Sequence, residues 1–203
     1  FPHAVKVLFI PLLILSVTAI IYGAYVTLMQ KDMKRLIAYS SVSHMGFVTL
    51  GLFTLNQTGI GGGILQMINH GVITGALFLC IGMIYERTHT RMIEDYGGLS
   101  KTVPLFIVFF TVFTLAAIGL PGMNAFVGEF LIISGAFKAN MIIAAFSIFG
   151  VVLGVTYMVW LYYRVALNEI NSNTKSNLFD LDSREIATLV PLVMLVFLIG
   201  VQP

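Results

Sequence analysis

Residues 103–137 read VPLFIVFFTVFTLAAIGLPGMNAFVGEFLIISGAF, an apolar run without any stretch that resembles a loop. A helix needs about 20 residues to cross the hydrocarbon core of a bilayer, and this run is nearly twice as long. Its middle holds Gly119-Leu120-Pro121-Gly122-Met123-Asn124. Pro121 removes a backbone donor and clashes with the preceding turn. Gly122 tolerates conformations that a helix forbids, and Asn124 is a residue type that favours the N-cap of a new helix.

The run therefore predicts two half-helices joined by an unwound segment at membrane depth, near residues 121–124. Irregular backbone is tolerated at that depth only inside protein or beside a wet cavity, and such breaks often mark transport sites. Two alternatives remain, a kink with a purely structural role and a helical hairpin in which both halves cross. We favour one discontinuous crossing, because a hairpin would reverse the side on which the last basic loop lies.

The composition of the whole chain agrees with a membrane environment. Of its 203 residues 58% are hydrophobic and 10% charged, and the mean hydropathy is +0.96. A soluble domain has about 25% charged residues. The net charge of +2 is too small to suggest a nucleic-acid partner. The single cysteine, Cys80, argues against a disulfide framework and against a cysteine-based metal or iron–sulfur site within this chain.

Apolar runs of membrane-spanning length recur along the sequence and do not alternate as barrel strands do. We therefore expect an all-α fold, a polytopic transmembrane helix bundle with one broken helix. Residues 1–203 are interpreted as one membrane domain, and as a piece of a longer protein, since the chain begins with Phe1 and stops just after an apolar run. The predicted spans are residues 7–29, 36–55, 60–85, 103–137, 141–163 and 186–201.

The distribution of basic residues predicts the orientation of these spans. If each apolar run crosses once, three loops lie on one side, namely Gln30–Arg35, Glu86–Lys101 and Arg164–Glu185. They hold all of the 11 Lys and Arg residues except Lys6 and Lys138. The positive-inside rule places the three loops on the cytoplasmic side, or on the matrix side in a mitochondrion. We expect the bacterial inner membrane, with the mitochondrial inner membrane as the alternative.

One carboxyl group is predicted to lie deep in the membrane. Glu129 lies in the second half-helix, five residues past Asn124, and its neighbours in sequence are apolar or glycine. An ionisable residue in lipid is costly and marks a functional site by default. Low dielectric favours the neutral form of a carboxyl group, which suits reversible proton uptake. The alternative is a structural ion pair with a basic residue on another helix.

Two histidines are further candidates for a proton relay. His70 lies in the middle of the third span and shares a helix face with Gln66, four residues earlier. His44 lies in the second span after a polar run that could hold water. Histidine exchanges protons near neutral pH through two distinct nitrogens, although either ring could instead serve packing. Lys34 is a weaker candidate, since its place at the membrane boundary is explained by snorkelling and topology.

Four stretches carry a family resemblance. They are KDMKRLIAYSSVSHMGF at 31–47, QMINHG at 66–71, YERTHTR at 85–91 with GGL at 97–99, and LPGMNAFVGEFLI at 120–132. These stretches resemble the antiporter-like subunit M (subunit 4) family of respiratory complex I, in the order of that family and over nearly the whole chain. The general pattern is shared with Mrp-type cation/proton antiporters and with membrane subunits of energy-converting hydrogenases. YERTHTR and the glutamate in the broken helix favour subunit M.

The resemblance implies roles for specific residues. Glu129 matches the acidic residue of the second discontinuous helix, near a proton exit, and His44 and His70 match histidines of the hydrophilic axis. Further lysines and a glutamate of that family lie on earlier helices and have no counterparts here. The implied partners are protons, the lipid bilayer and other membrane subunits of complex I. Flavin, iron–sulfur clusters and the quinone site are expected in those partner subunits, with no cofactor in this chain.

Three functions are therefore compared. The first is a proton-pumping subunit of NADH:quinone oxidoreductase, which would make the chain part of an enzyme. The second is a subunit of a sodium/proton antiporter or of an energy-converting hydrogenase. The third is a membrane scaffold without transport, and the desolvation cost of Glu129, His44 and His70 argues against it.

The predicted orientation can be tested by cysteine-accessibility labelling. Cysteines introduced at Asn173 and at Thr58 should react from opposite sides of the membrane, because they lie in loops at opposite ends of the predicted spans. Equal labelling of both positions from one side would contradict the topology.

Overall fold

The computed structural model describes residues 2–169 and 178–203, with side chains from Val5 onward. These residues form an all-α fold, which confirms the predicted class. Asn173 of the labelling test and Lys175 of the third basic loop lie outside the described residues. A 3₁₀ turn covers Ile93–Asp95 and a π-helical turn covers Tyr163–Leu167. The α-helices are α1 Pro2–Val7, α2 Phe9–Leu28, α3 Met33–Phe53, α4 Gln57–Thr88, α5 Leu99–Thr102, α6 Pro104–Ala117, α7 Asn124–Ala139, α8 Met141–Tyr162 and α9 Ser183–Val201.

Five of these helices are long and apolar enough to cross a membrane. They are α2, α3, α4, α8 with its π-helical turn, and α9. Helix α6 has 14 residues and α7 has 16, so each is shorter than the roughly 20 residues that one crossing needs. Four of the five long helices lie within or enclose the spans predicted at 7–29, 60–85, 141–163 and 186–201, and α3 overlaps the span predicted at 36–55.

Three helices begin three residues earlier than the hydropathy predicts, at Met33, Gln57 and Ser183 instead of 36, 60 and 186. In each case a polar N-cap fixes the start. The side chain of Asp32 accepts a hydrogen bond from Arg35 N, and that of Asn56 accepts one from Gly59 N. Hydropathy marks the part of a helix that suits lipid, whereas the cap marks where the helix begins.

The cap of α9 is a full capping box between Asp182 and Glu185. The Asp182 carboxylate accepts from Glu185 N at 2.8 Å, and the Glu185 carboxylate accepts from Asp182 N at 2.9 Å. The hydrogen bond from the Glu185 amide holds the pKa of the Asp182 carboxyl below its usual value.

Between α6 and α7 the chain leaves helical geometry over residues 118–123. Gly119 and Gly122 have φ angles of +70° and +90°, in the left-handed region that favours glycine. The predicted N-cap at Asn124 is wrong. Met123, with φ −111° and ψ 159°, is the N-cap and makes no side-chain cap bond. Because Met123 is the last extended residue, Asn124 is already the first residue of α7.

Both halves of the interrupted helix lie along the single long helix α4. Near its start, Asn56 Nδ2 donates to Gly135 O at 2.8 Å, and in its middle Asn69 Nδ2 donates to Asn124 O at 2.7 Å. Helix α7 therefore runs antiparallel to the first half of α4. Helix α6 packs on α4 as well and begins beside the end of α4. That the two halves form one membrane crossing stays a prediction, and this arrangement supports it.

Arg87, near the end of α4, makes hydrogen bonds to the segment before α9 and to the first turn of α9. Its guanidinium donates to both carboxylate oxygens of Glu185, at 2.8 Å and 2.6 Å. It also donates to the carbonyl oxygens of Phe179 and Asp180, at 2.8 Å and 3.2 Å. The Arg87 and Glu185 side chains are 18% and 17% exposed, so this two-pronged pair is largely shielded from water.

The segment that Arg87 holds also caps α6. The Asp180 carboxylate accepts hydrogen bonds from Leu105 N at 2.8 Å and from Phe106 N at 3.0 Å. At its other end, α9 lies against the interruption, since a Cβ atom at Gly200 would overlap the carbonyl oxygen of Gly122. Helix α9 thus contacts the interrupted helix at its break, and the segment before α9 caps its start.

We expect Arg87→Ala to lower the free energy of unfolding of the full-length protein by about 2 kcal/mol, because several hydrogen bonds to a charged group are lost and Glu185 remains shielded. Thermal unfolding in detergent measures this loss. Arg184→Ala is the matched control, since its side chain is 95% exposed, and it should leave the melting temperature unchanged. Equal melting of both variants would contradict the structural role of Arg87.

Candidate functional site

Four helices bring five polar side chains together in the middle of the bundle. We call this set the central polar cluster: His44 on α3, Gln66 and His70 on α4, Glu129 on α7 and Tyr157 on α8. It lies beside the interruption between α6 and α7. Polar groups at this depth need partners inside the protein, because the hydrocarbon core offers none.

Glu129 is 7% exposed and has two partners in the cluster. Its Oε1 atom accepts a hydrogen bond from Gln66 Nε2 at 3.4 Å and lies 3.7 Å from His44 Nδ1. The imidazole is thus the group that could supply a positive charge or a proton to this carboxyl group. The alternative left open by the sequence is a structural ion pair between Glu129 and a basic residue on another helix. In the structure that residue is His44, which is charged only when it is protonated.

His44 is the centre of the cluster, because each of its ring nitrogens faces a different helix. Nδ1 faces Glu129 on α7, and Nε2 lies 3.2 Å from the hydroxyl oxygen of Tyr157 on α8. The ring of His70 on α4 is 5.6 Å away, centroid to centroid. His44 therefore lies between the carboxyl group and the second histidine.

His70 has a local partner on its own helix. The Thr74 hydroxyl lies 3.2 Å from His70 Nδ1 and 3.3 Å from Nε2. Two cavities of about 10 Å³ border this region, one between His44 and His70 and one between His44 and Glu129. A volume of about 10–15 Å³ is the least that a single water molecule needs. The gaps beside His44 are therefore of the size that admits one water, not a wide channel.

Two glycines allow the carboxyl group to approach its neighbours. A Cβ atom at Gly128 would overlap Gln66 Oε1, and a Cβ atom at Gly119 would lie 2.9 Å from Glu129 Oε2. Gly119 also has a φ of +70°, so both its conformation and its contact with Glu129 favour glycine.

The structure brings Glu129, His44, His70 and Gln66 together, and their roles in a proton relay stay predictions. Lys34 lies apart from them. It is exposed and lines a separate cavity with Tyr85 and Arg91, toward the predicted cytoplasmic or matrix end of α3.

The three residues predicted to support the break differ in their surroundings. Pro121 and Gly122 are exposed on the interruption, and Asn124 is fully buried. Within the described part of the chain, neither side-chain polar atom of Asn124 has a hydrogen-bond partner, while its carbonyl oxygen accepts from Asn69.

Tyr157 and Asn69 are members of this region that the sequence pattern does not reveal. Tyr157 lies in a strongly apolar span, where aromatic residues usually pack or face lipid. The available signal is its hydroxyl group, since a buried tyrosine usually finds a hydrogen-bond partner. Asn69 stands beside His70 in QMINHG, and its amide donates to the carbonyl oxygen of Asn124 on α7.

Comparison with known proteins shows the family to which the chain belongs. Residues 2–156 match the family described as NADH:quinone oxidoreductase/Mrp antiporter, TM. This match covers more than half of the chain, and the chain therefore belongs to that family of membrane proteins.

Particular relatives narrow the comparison. The chain is 48% identical over all its 203 residues to NADH-quinone oxidoreductase subunit M of Rhodobacter capsulatus, of which it covers 40%. It is 47% identical over 189 residues to NADH-ubiquinone oxidoreductase chain 4 of Marchantia polymorpha, of which it covers 38%. The chain thus spans about two fifths of the length of these relatives.

Solved structures agree with these relatives. A chain of respiratory complex I from Thermus thermophilus with bound NADH matches this chain with a TM-score of 0.93 and 35% identity. The match covers 98% of this chain and 42% of the complex I chain. The Mrp complex from Dietzia sp. matches 95% of this chain, over 44% of its own, with a TM-score of 0.82 and 20% identity, which shows the fold alone.

We expect Gly128→Ala to lower the stability of the full-length protein by about 1–3 kcal/mol, because the added methyl group displaces Gln66 in a packed interior. Gly61→Ala is the matched control, since nothing lies within 4 Å of a Cβ atom built there. Thermal unfolding of both variants in detergent measures the difference. A Gly128→Ala protein as stable as Gly61→Ala would contradict the close contact between α4 and α7.

Proposed function

We propose that the chain is part of a proton-translocating membrane subunit of NADH:quinone oxidoreductase. The observation that carries this proposal is the direct succession of His70, His44 and Glu129 on three different helices. The likeness to subunit M and chain 4 relatives supports it. In this proposal the protein lies in a bacterial plasma membrane or a mitochondrial inner membrane and functions beside other membrane subunits.

The chemistry proposed for the cluster is stepwise proton transfer. A protonated His44 gives its Nδ1 proton to the Glu129 carboxylate and becomes neutral. A protonated His70 then gives one proton to His44 through a bridging water and becomes neutral. Each step neutralises or creates charge in a low-dielectric interior, so proton uptake at one group alters the affinity of the next.

The position of Glu129 suits a group that changes its protonation state. It lies in the second turn of α7, near the positive end of the helix dipole, which moderates the cost of a negative charge. The Oε1 atom of Glu129 lies 3.7 Å from His44 Nδ1, close enough for an ion pair when the imidazole is protonated.

Redox chemistry is proposed to lie elsewhere in the complex. With Cys80 as its single cysteine, the chain has too few thiolates for an iron–sulfur cluster. We therefore place flavin, iron–sulfur clusters and the quinone site in partner subunits, whose conformational change would drive the proton steps in this chain.

A sodium/proton antiporter subunit is the second candidate, because the family includes Mrp antiporters and the fold matches an Mrp complex. A third relative by structure is the membrane-bound sulfane sulfur reductase, with 28% identity and a TM-score of 0.90 over 96% of this chain and 32% of its own. Purification of the full-length protein with its partners separates these functions. Rotenone- or piericidin-sensitive NADH:quinone activity favours the first, and sodium-dependent proton exchange without it favours the second.

We predict that Glu129→Gln in the full-length protein leaves the complex assembled but strongly lowers proton pumping and quinone reductase turnover, because the amide cannot take up a proton. Glu129→Asp should retain part of both activities. Glu86→Gln is the matched control, since Glu86 is exposed near the end of α4, and it should behave as the wild type. Wild-type pumping by Glu129→Gln would show that the carboxylate is structural.

His70→Ala is predicted to slow proton translocation while assembly stays intact, because it removes the imidazole that reloads His44. Proton uptake into vesicles, compared at equal amounts of assembled complex, measures the effect. Normal pumping would return His70 to a packing role.

A further inference from the structure

Two side-chain amides form a hydrogen-bonded chain from the start of α7 to the Glu129 carboxyl group. Asn69 Nδ2 donates to the backbone carbonyl oxygen of Asn124 at 2.7 Å and to Gln66 Oε1 at 3.4 Å. Gln66 Nε2 in turn donates to Glu129 Oε1 at 3.4 Å. Asn69 and Gln66 are 0% and 1% exposed, so neither amide can exchange these partners for bulk water.

The backbone carbonyl group of Asn124 fixes the direction of this chain. A carbonyl oxygen can only accept a hydrogen bond, whereas a side-chain amide donates from its nitrogen and accepts at its oxygen. The Asn69 amide must therefore turn its nitrogen toward Asn124. The second proton on that nitrogen meets Gln66, which then turns its oxygen toward Asn69 and its nitrogen toward Glu129.

The direction of the Gln66 amide matters because the same carboxylate oxygen also faces His44. His44 Nδ1 lies 3.7 Å from Glu129 Oε1. With its nitrogen toward Glu129, Gln66 donates to the carboxyl group and offers no acceptor for the proton of the carboxylic acid. A reversed Gln66 would place its carbonyl oxygen against Oε1, where it would accept that proton in competition with His44 Nδ1.

We propose that Asn69 is a positioning residue that keeps the nitrogen of the Gln66 amide, not its oxygen, turned toward Glu129, and thereby directs proton exchange of Glu129 toward His44. This inference rests on the proposed proton-transfer role of Glu129 and His44. Asn69 acts on the carboxyl group through Gln66. The start of α7, just after the interruption, is thus the reference from which the surroundings of Glu129 are oriented.

The test is Asn69→Leu in the full-length protein within the assembled complex, reconstituted into lipid vesicles. Leucine is close to asparagine in size but has no amide, so Gln66 loses the donor that fixes its direction. Proton pumping per assembled complex should fall about fivefold, the effect expected from one neutral hydrogen bond. The infrared bands of the Glu129 carboxyl group, identified by their loss in Glu129→Gln, should shift in the same variant.

Gln66→Leu and the double variant of Asn69 and Gln66 show whether Asn69 acts through Gln66. Gln66→Leu should itself lower pumping, because the carboxyl group loses a donor. Adding Asn69→Leu to Gln66→Leu should cause no further loss of pumping per complex and no further shift of the infrared bands. A residue that only supports the backbone at Asn124 would instead lower pumping by the same factor with or without Gln66.

Asn56→Ser is the matched control at the start of the same helix. Asn56 Nδ2 donates to the backbone carbonyl oxygen of Gly135 on α7 at 2.8 Å. This is the same kind of bond as that from Asn69 to Asn124, but it lies away from the central polar cluster. Serine keeps an acceptor suited to the N-cap of α4 and lacks the amide. The variant should leave pumping per complex and the Glu129 bands unchanged.

The outcomes separate this inference from the proposed function. Either wild-type pumping or unshifted Glu129 bands in Asn69→Leu overturns the positioning role. So does an equal fall in pumping when Asn69→Leu is added to the wild type and to Gln66→Leu. Wild-type pumping by Glu129→Gln instead overturns the proposed function, whereas loss of pumping in Glu129→Gln with wild-type pumping in Asn69→Leu overturns the inference alone.

Discussion

A backbone that leaves helical geometry inside a bilayer must find its hydrogen bonds within the protein, because hydrocarbon offers none. Here turn hydrogen bonds within residues 115–123 supply several of them. The side-chain amide of Asn69 on α4 adds a hydrogen bond to the carbonyl oxygen of Asn124, the first residue of α7. Gln66, three residues before Asn69, contacts Glu129, five residues after Asn124. The amide that holds the start of α7 and the amide that holds the carboxyl group thus lie on one stripe of α4. The break and the ionisable site therefore depend on neighbouring side chains of the same helix.

The same constraint applies at the start of α6, the end of this half-helix that lies far from the break. Helix α6 would begin with unpaired amide groups, and Asp180 accepts from two of them. The carbonyl oxygen of Asp180 accepts a hydrogen bond from Arg87, which also donates to the carboxylate of Glu185 on α9. Helix α9 then reaches the break through Gly200. A segment 75 residues further along the chain thereby caps the start of α6, and local sequence patterns do not indicate that contact.

Hydropathy and the GLPGMN stretch are enough to predict a helical membrane protein, its long helices and the region of the break. They also identify Glu129, His44 and His70, because isolated ionisable groups in apolar runs are conspicuous. The contact between His44 and Glu129 joins residues far apart in sequence and depends on how α3 packs against α7. The spacing of hydrophobic residues does not reveal which helices pack together. For the same reason the sequence around Tyr157 in α8 does not indicate that its hydroxyl group contacts His44. The N-cap at Met123 lies one position before Asn124, the residue that N-cap preferences favour.

The length of α4 has a consequence for how the protein sits in lipid. With 32 residues, the helix is about 48 Å long, whereas the hydrocarbon core is about 30 Å thick. Hydrophobic mismatch of this size requires that α4 tilt strongly or extend beyond the hydrocarbon into the headgroups. Both halves of the interrupted helix pack along α4, so they follow its tilt. A tilt of α4 in the bilayer would therefore also tilt α7, the helix that carries Glu129.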